Sequence, residues 1–204
     1  MATLLNRRRY MGGGSALPYD AEVEYIGSNS SAAAIYQYID TGIVPTTDYQ
    51  IHIKIGALAT YPATDSSLFL QTWAVKCFFI QIGRSHPNEV YWHGMNPTSW
   101  KPLSSDGVND IVCGNGFITI NGTTYSANNY LTDNANTIKL FNNGSGRKSA
   151  FDLYLFEVLN NGVVIASFKP VRVGTEGCLY ETISGQIFHN NGTGSFTIGP
   201  DKTT

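Results

Sequence analysis

Short stretches in which apolar and polar residues alternate are the main pattern along this chain. In residues 51–55 three isoleucines alternate with His52 and Lys54, so the isoleucines fall on one face of an extended strand and the polar residues on the other. Residues 117–120 and 123–125 flank an Asn-Gly pair, which accepts the positive φ angles of a two-residue hairpin turn. These patterns predict β-strands joined by tight turns.

A second hairpin is predicted around Asn160-Asn161-Gly162, where residues 151–159 and 163–168 are apolar at nearly every position. A strand that is apolar on both faces is typical of a sheet centre covered on both sides. Further Asn-Gly turn signals occur within 142–144 and 190–192. Strands are predicted about every ten residues with no helical period between them, so we expect an all-β, antiparallel two-sheet sandwich or barrel.

Composition and charge exclude several classes of function. The chain has 204 residues, enough for one sizeable core, and only 14% of them are charged. The formal net charge is -2, but residues 1–15 contain three arginines and no acid, which leaves -5 on the rest. Because no basic footprint covers a face, we expect no nucleic-acid partner. No apolar run is long enough to predict a membrane-spanning helix.

The cysteines and histidines do not follow the spacing of a metal site. Cys77, Cys113 and Cys178 are odd in number and widely separated, and we predict that all three are buried, reduced side chains. No two histidines stand at ligand spacing, so the sequence predicts no metal site and no cofactor. Residues 106–110, Asp-Gly-Val-Asn-Asp, offer three oxygen-bearing side chains, which are compatible with a calcium loop or with a plain turn.

Catalytic carboxylates are not indicated either. Glycoside hydrolases need two carboxyl groups at a fixed separation, and jelly-roll glucanases carry theirs along one strand. The nearest approach is Glu22-Val23-Glu24, which we interpret as structural acids. No nucleophile elbow, zinc-protease motif or phosphate-binding loop is present. We therefore expect a protein that is not an enzyme.

One aromatic segment is a candidate for sugar binding. Residues 91–102 contain Tyr91, Trp92, His93 and Trp100 together with two prolines. An aromatic ring offers a flat face to the apolar side of a sugar, and a nearby His can bind its hydroxyl groups. The same rings could instead cover the edge of the core, which the general burial of large aromatic side chains favours, or contact another protein. The sequence leaves these three interpretations open.

Both ends of the main body resemble a known family. Residues 23–26 and 37–45 (Val-Glu-Tyr-Ile and Gln-Tyr-Ile-Asp-Thr-Gly-Ile-Val-Pro) resemble the opening of a laminin-G-like, concanavalin A-like jelly-roll domain, a family common in gut bacteria and their phages. The closing half resembles it in order and spacing, through 153–157, 161–162, 168–172, 177–180, 184–188 and 192–196. Residues 57–135 depart from the family pattern. The resemblance implies a jelly-roll sandwich over 17–200, followed by a polar tail over 201–204.

We call the first 16 residues the arm. Its residues 1–13 (Met-Ala-Thr-Leu-Leu-Asn-Arg-Arg-Arg-Tyr-Met-Gly-Gly) resemble the start of virion proteins in phages of gut bacteria, crAss-like phages among them. The arm ends in the linker sequence Gly12-Gly13-Gly14-Ser15. The resemblance implies attachment to a capsid or other virion protein. The arm residues expected to bind that partner are Leu4, Leu5, Arg7, Arg8, Arg9, Tyr10 and Met11.

These features predict a structural protein of a phage particle. We expect a head fibre or capsid-decoration protein, made in the host cytoplasm without an export signal and placed in the virion. Fibres usually assemble about a rotation axis, so a homo-oligomer is expected. The alternative is a carbohydrate-binding adhesin module of a tail fibre or bacterial surface protein, with host or gut glycans as ligands.

Overall fold

The computed structural model describes residues 17–28, 37–56, 66–69, 80–83, 86–92, 100–127, 136–141 and 151–203, and within them the secondary structure consists of strands without any helix. The strands, in chain order, are β1 (Ala21–Glu22), β2 (Ile26–Gly27), β3 (Ile39–Asp40), β4 (Tyr49–Gly56), β5 (Ser66–Phe69), β6 (Ile80–Gly83), β7 (His86–Trp92), β8 (Lys101–Pro102), β9 (Asn109–Gly114), β10 (Phe117–Ile120), β11 (Thr123–Ser126), β12 (Lys139–Leu140), β13 (Asp152–Asn160), β14 (Val163–Val173), β15 (Glu176–Glu181), β16 (Gln186–Phe188) and β17 (Thr197–Ile198).

Most of these strands form one large antiparallel sheet. Its order is β11-β10-β9-β4-β13-β14-β15-β16, with β1 beside β14 and β2 between β13 and β17. Two smaller sheets, β5-β6-β7-β8 and β12-β3, complete the described part of the fold. Every pairing is antiparallel, as expected for a fold built from hairpins and longer crossovers.

The large sheet and the four-stranded sheet share one hydrophobic core. Ile51, Ile53 and Ile55 of β4 are buried in the same cluster as Ile82 of β6 and Val90 of β7. The alternation in residues 51–55 therefore gives the predicted result, since His52 and Lys54 lie on the outer face. The all-β, antiparallel, jelly-roll-like sandwich predicted from the sequence is confirmed.

Aromatic rings fill the core near the last strands. Phe141 and Phe151 stack with ring centroids 4.9 Å apart, and Phe196 packs on Phe141 at 4.6 Å. Phe156 and Phe168, on the paired strands β13 and β14, lie 5.4 Å apart. Buried aromatic pairs of this kind contribute roughly 0.5–1.5 kcal/mol beyond the area they bury.

Both predicted hairpin turns are present. Asn121 and Gly122 have φ values of 48° and 83°, and Asn161 and Gly162 have φ values of 50° and 78°. Positive φ at both central residues is the conformation that matches the right-handed twist of the flanking strands. The turns join β10 to β11 and β13 to β14.

One prediction about the second hairpin is wrong. β13 and β14 do lie in the middle of the large sheet, but they are buried on one face only. The outer face carries Glu157 and Ser167, which hydrogen bond to each other at 2.9 Å. The first residues of β14, 163–165, are exposed although all three are apolar. Apolar content alone therefore overstated how much of the hairpin is covered.

The prediction of buried, reduced cysteines is confirmed for Cys113 and Cys178, which are free and buried. Burial raises the pKa of the Cys113 thiol well above its usual value. Cys77 lies outside the described residues.

Candidate functional site

The first described residues lie along a central strand of the large sheet. Ala21 and Glu22 of β1 pair with Arg172 and Val171 of β14. The backbone NH of Asp20 donates to the carbonyl of Arg172 at 2.9 Å, which extends this pairing toward the arm. We call residues 17–23 the arm root, because the arm precedes them directly. The arm root is therefore hydrogen bonded to the body's main sheet.

Side chains of the arm root enclose a lysine. Lys169 of β14 forms an ion pair with Glu22, and its ammonium nitrogen lies 5.4 Å from the ring centroid of Tyr19 and 5.5 Å from that of Tyr180. The two rings are 5.0 Å apart, and the Tyr19 hydroxyl donates to Glu22 at 3.0 Å. A lysine over two aromatic faces gains cation–π attraction in addition to its ion pair.

The last described residues bind at the same place. The guanidinium group of Arg172 donates to both carboxylate oxygens of Asp201, at 2.7 and 3.3 Å. The backbone NH of Lys202 donates to the carbonyl of Glu22 at 2.8 Å, and Val23 forms an isolated β-bridge with Asp201. The chain segments on either side of the sandwich thus meet at the arm root.

The pKa values of the arm root follow from these contacts. The hydrogen bond with Lys169 lowers the pKa of Glu22, and the hydrogen bond with Arg172 lowers that of Asp201. Burial would lower the pKa of Lys169, but its bonds to Glu22 and Tyr19 outweigh burial and raise it. Burial raises the pKa of Tyr19. Each charged group therefore keeps its charge at neutral pH.

The arm residues predicted to bind a partner, Leu4, Leu5, Arg7, Arg8, Arg9, Tyr10 and Met11, lie outside the described residues. The structure describes the arm root, the segment that joins these residues to the β-sandwich. An arm that continues into the arm root is connected to β14 through main-chain hydrogen bonds and an ion pair rather than through an isolated loop.

The aromatic segment separates into a buried and a surface part. Trp92 is 1% exposed, and its Nε1 donates to the carbonyl of Gly114 at 3.2 Å, so it belongs to the core and offers no face to a sugar. Tyr91 and Trp100 are partly exposed, with ring centroids 5.5 Å apart and planes inclined by 40°. His93 lies outside the described residues. The structure brings Tyr91 and Trp100 together and removes Trp92 from the predicted set.

The candidate calcium loop is engaged in other bonds. The side-chain oxygen of Asn109 accepts from the backbone NH of Ser104 at 2.7 Å, and its amide donates to the carbonyl of Ser104 at 3.0 Å. The Asp110 carboxylate contacts His52 at 3.0 Å and Lys54 at 3.2 Å on the outer face of the sheet. These bonds are those of a turn that the Asn109 side chain closes at the start of β9.

The acids considered for catalysis have structural partners or lie in solvent. Glu22 is bound by Lys169 and Tyr19, and Glu24 is exposed. A general acid needs a raised pKa, whereas the pKa of Glu22 is lowered.

One carboxyl group with a raised pKa was not indicated by the sequence. Asp152 stands at the start of β13, in register with Gly27 on one side and Gly56 on the other. Burial raises its pKa to about 6. A Cβ at Gly27 would collide with the Asp152 carboxylate, so the glycine provides the room that the acid occupies.

A cluster of three possible ligands was also missed by the sequence analysis. The Nδ1 atom of His189 lies 3.0 Å from a carboxylate oxygen of Glu176 and 3.5 Å from the sulfur of Cys178. Burial, and then the Glu176 carboxylate, raises the pKa of the Cys178 thiol to about 12. The sequence signal is an acid and a cysteine two apart in a strand, with a histidine just after the next strand.

Comparison with protein-family models, with curated proteins and with solved structures found no match to this chain. Across the residues that the structure describes, no helix could span a membrane.

Proposed function

We propose that the chain is a non-enzymatic structural protein of a phage particle, a head fibre or capsid-decoration protein, that attaches through its arm and displays the β-sandwich outward. The proposal starts from the resemblance of residues 1–13 to virion proteins and of both ends of the body to a phage-associated jelly-roll family. The observation that supports it best is the arm root, where residues 20–23 are paired with β14.

A displayed domain must be held firmly at its attachment point. The arm root meets this need because backbone bonds, the Lys169–Glu22 ion pair and the Arg172–Asp201 pair all join it, directly or through the last described segment, to β14. Tension on the arm is then transferred to the main sheet. In the proposal, the three arginines of the arm bind carboxylates and carbonyl groups of the receiving virion protein, for which the guanidinium fork is suited.

Deletion of residues 2–12 tests this function. We expect the shortened protein to keep its fold and a Tm within a few degrees of the full chain, and to be lost from assembled particles. Replacement of Arg7, Arg8 and Arg9 by Glu should reduce incorporation more than replacement by Lys, because Glu reverses the charge whereas Lys loses only the fork.

A matched control applies the same charge change to the body. Lys54, Lys101 and Lys139, which lie outside the arm root, are replaced together by Glu, and incorporation should stay near the wild-type level. Normal incorporation of the deletion variant would contradict the attachment role. Loss of the fold on deletion would assign the arm to the body instead.

A second function, sugar binding by an adhesin module, is favoured by the partly exposed ring pair Tyr91–Trp100. A glycan array with residues 17–204 tests it. Saturable binding that is lost in Trp100→Ala and kept in Tyr180→Ala, a control at a ring remote in sequence, would support the adhesin. Absence of binding on the array would favour the structural role.

The homo-oligomer remains part of the proposal for a fibre. Analytical ultracentrifugation of the full chain tests it, and a single species with the mass of 22.3 kDa at all concentrations would contradict it.

A further inference from the structure

Three side chains with different donor atoms meet on one face of the β15–β16 hairpin. Glu176 and Cys178 are two residues apart in β15, and alternation in a strand places them on the same face. The register that pairs Leu179 with Phe188 continues to the next position, where His189 lies beside Cys178. The hairpin thus brings a carboxylate, a thiol and an imidazole together without any special loop.

The donor atoms converge on one point. Glu176 and Cys178 both approach the same atom, Nδ1 of His189, at 3.0 and 3.5 Å, and the three donor atoms lie within 4.8 Å of one another. His52 shows the contrasting arrangement. Its Nδ1 faces Glu157 at 2.9 Å and its Nε2 faces Asp110 at 3.0 Å, so its carboxylates lie on opposite sides of the ring and share no common point.

Convergence on a single nitrogen also distinguishes the cluster from a nucleophile activated by a base. In such a relay the histidine uses one ring nitrogen for the nucleophile and the other for the orienting carboxylate. Here Nδ1 faces both partners. A positive ion placed among the three donors contacts all of them at once.

The spacing agrees with tetrahedral coordination. With Zn–S and Zn–N bonds of about 2.3 and 2.0–2.1 Å, a tetrahedral ion holds a sulfur and a nitrogen about 3.5 Å apart. Cys178 and His189 are separated by 3.5 Å, and the Glu176 oxygen is 3.0 Å from the same nitrogen, a few tenths of an ångström less than a tetrahedral ion would set between an oxygen and a nitrogen ligand. We propose that Glu176, Cys178 and His189 bind a divalent transition-metal ion, Zn²⁺ before others, with a fourth position open to water.

The donor set and its exposure define the class of ion. Thiolate and imidazole ligands select Zn²⁺ and related ions over Ca²⁺ and Mg²⁺, which prefer oxygen. Cys178 is buried, whereas the side chains of Glu176 and His189 are 40% and 53% exposed, so an ion enters from the solvent side. Once bound, it joins β15 to the segment after β16. This role is independent of attachment through the arm.

The full chain, without a histidine tag and kept reduced by a phosphine, tests the site. Metal-free protein is titrated with ZnCl₂ against a chromophoric chelator, and we expect one ion bound per chain. CoCl₂ should give the near-ultraviolet band of sulfur-to-cobalt charge transfer. At free Zn²⁺ about 100 times its Kd, the Tm should rise by about 5–10 °C.

Substitutions identify the ligands. We expect His189→Ala, Cys178→Ser and Glu176→Gln each to weaken Zn²⁺ binding by at least about tenfold. Substituting a residue that only hydrogen bonds to a metal ligand typically lowers metal affinity by about that factor, and losing a ligand itself should lower it at least as much. Cys178→Ser should also abolish the cobalt–sulfur band. His52→Gln is the matched control, because it removes another imidazole between carboxylates and should leave binding unchanged.

The exposed position of His189 keeps the test decisive even if Cys178→Ser folds poorly. Zn²⁺ affinity that is the same in wild type and His189→Ala would overturn the proposal. A cobalt–sulfur band that persists in Cys178→Ser would place the ion at another cysteine and would overturn it as well.

Discussion

Lys169 connects the arm root to the sheet more closely than any other side chain described there. Its ammonium group binds Glu22 and lies over the rings of Tyr19 and Tyr180. Because Lys169 and Glu22 are partly exposed, their ion pair contributes about 1 kcal/mol or less to the stability of the fold. The cation–π contacts add a contribution of similar size.

We expect Lys169→Met, which keeps an apolar stem without charge, to lower the free energy of unfolding by about 1 kcal/mol at pH 7. Since the folded state lowers the pKa of Glu22, the ion pair stabilises the fold above the unfolded pKa of Glu22 and is lost as the pH falls through the lower folded value. Urea denaturation at pH 7 and pH 3 should therefore show a smaller difference between variant and wild type at pH 3.

Lys101→Met is the control for this prediction. Lys101 also lies over a tyrosine ring, that of Tyr125 at 4.8 Å, but its partner across the β7–β8 pairing is the apolar Val90. Its effect should not change between the two pH values. An equal, pH-independent loss in both variants would contradict the role of the ion pair.

Asp152 makes the opposite contribution to stability. Its folded pKa of about 6 is above that of an unfolded aspartate, so the fold favours the protonated form and loses stability as the pH rises through 4–6. We expect Asp152→Asn to be more stable than wild type by about 1 kcal/mol at pH 8, after allowance for partial exposure. The gain should nearly vanish at pH 4.

Chemical denaturation across this pH range checks the Asp152 prediction. Asp106→Asn, at an exposed aspartate, is the matched control and should change stability little at any pH. A stability gain in Asp152→Asn that does not depend on pH would show that charge is not its cause.

At the scale of elements, the β13–β14 turn depends on its glycine. Gly162 has a φ of 78°, a region that disfavours a residue with a Cβ. Gly162→Ala should lower the free energy of unfolding by about 1 kcal/mol or more. A residue with a Cβ is strained at this φ, and the added methyl group would contact nothing within 4 Å that could compensate. Asn161→Gly, at the neighbouring position with φ of 50°, should stay within a few tenths.

Urea denaturation of both turn variants provides the measurement. Equal effects at positions 161 and 162 would contradict the explanation from backbone conformation. Gly122→Ala, in the β10–β11 turn where φ is 83°, repeats the test in a second hairpin and should have the same effect as Gly162→Ala.

The sequence predicted the turns and the strand alternation well, because both depend on residues that are close together in the chain. The Asn-Gly turns follow from backbone geometry, and the burial of Ile51, Ile53 and Ile55 follows from alternation. Pairing between distant strands has no such signal. β4 pairs with β13, so that Ile53 stands opposite Phe156, and this register depends on how the whole core packs.

The candidate sites were predicted only in part for the same reason, because local sequence patterns do not show how distant segments pack. The segment from Tyr91 to Trp100 has an evident aromatic composition, but composition does not show which ring turns inward, and Trp92 does. His189 and Cys178 are brought together by strand register, which their separation in sequence does not reveal. Attachment through the arm and virion placement stay predictions, since they concern partners.

At the scale of the whole molecule, the arm and the rest of the chain carry opposite net charges. The arm carries +3 and the remainder -5. A body with a net negative charge repels its neighbours weakly, whereas a basic arm is attracted to an acidic surface. If attachment follows the proposal, incorporation of the full chain into particles should decrease as salt is raised, and the variant with Lys at positions 7, 8 and 9, which keeps the charge, should show a similar dependence.

The meeting of the first and last described segments at the arm root determines where foreign sequence can be added. A fusion joined to the last described segment, in which Lys202 bonds to Glu22, starts beside the arm root, where a receiving surface is expected, and should be sterically hindered on assembled particles. The turn at Asn161-Gly162 lies at the other end of β14, about 33 Å away along ten residue steps. An epitope inserted there should be tolerated and accessible to antibody on intact particles, which would make this turn the better position for a display scaffold.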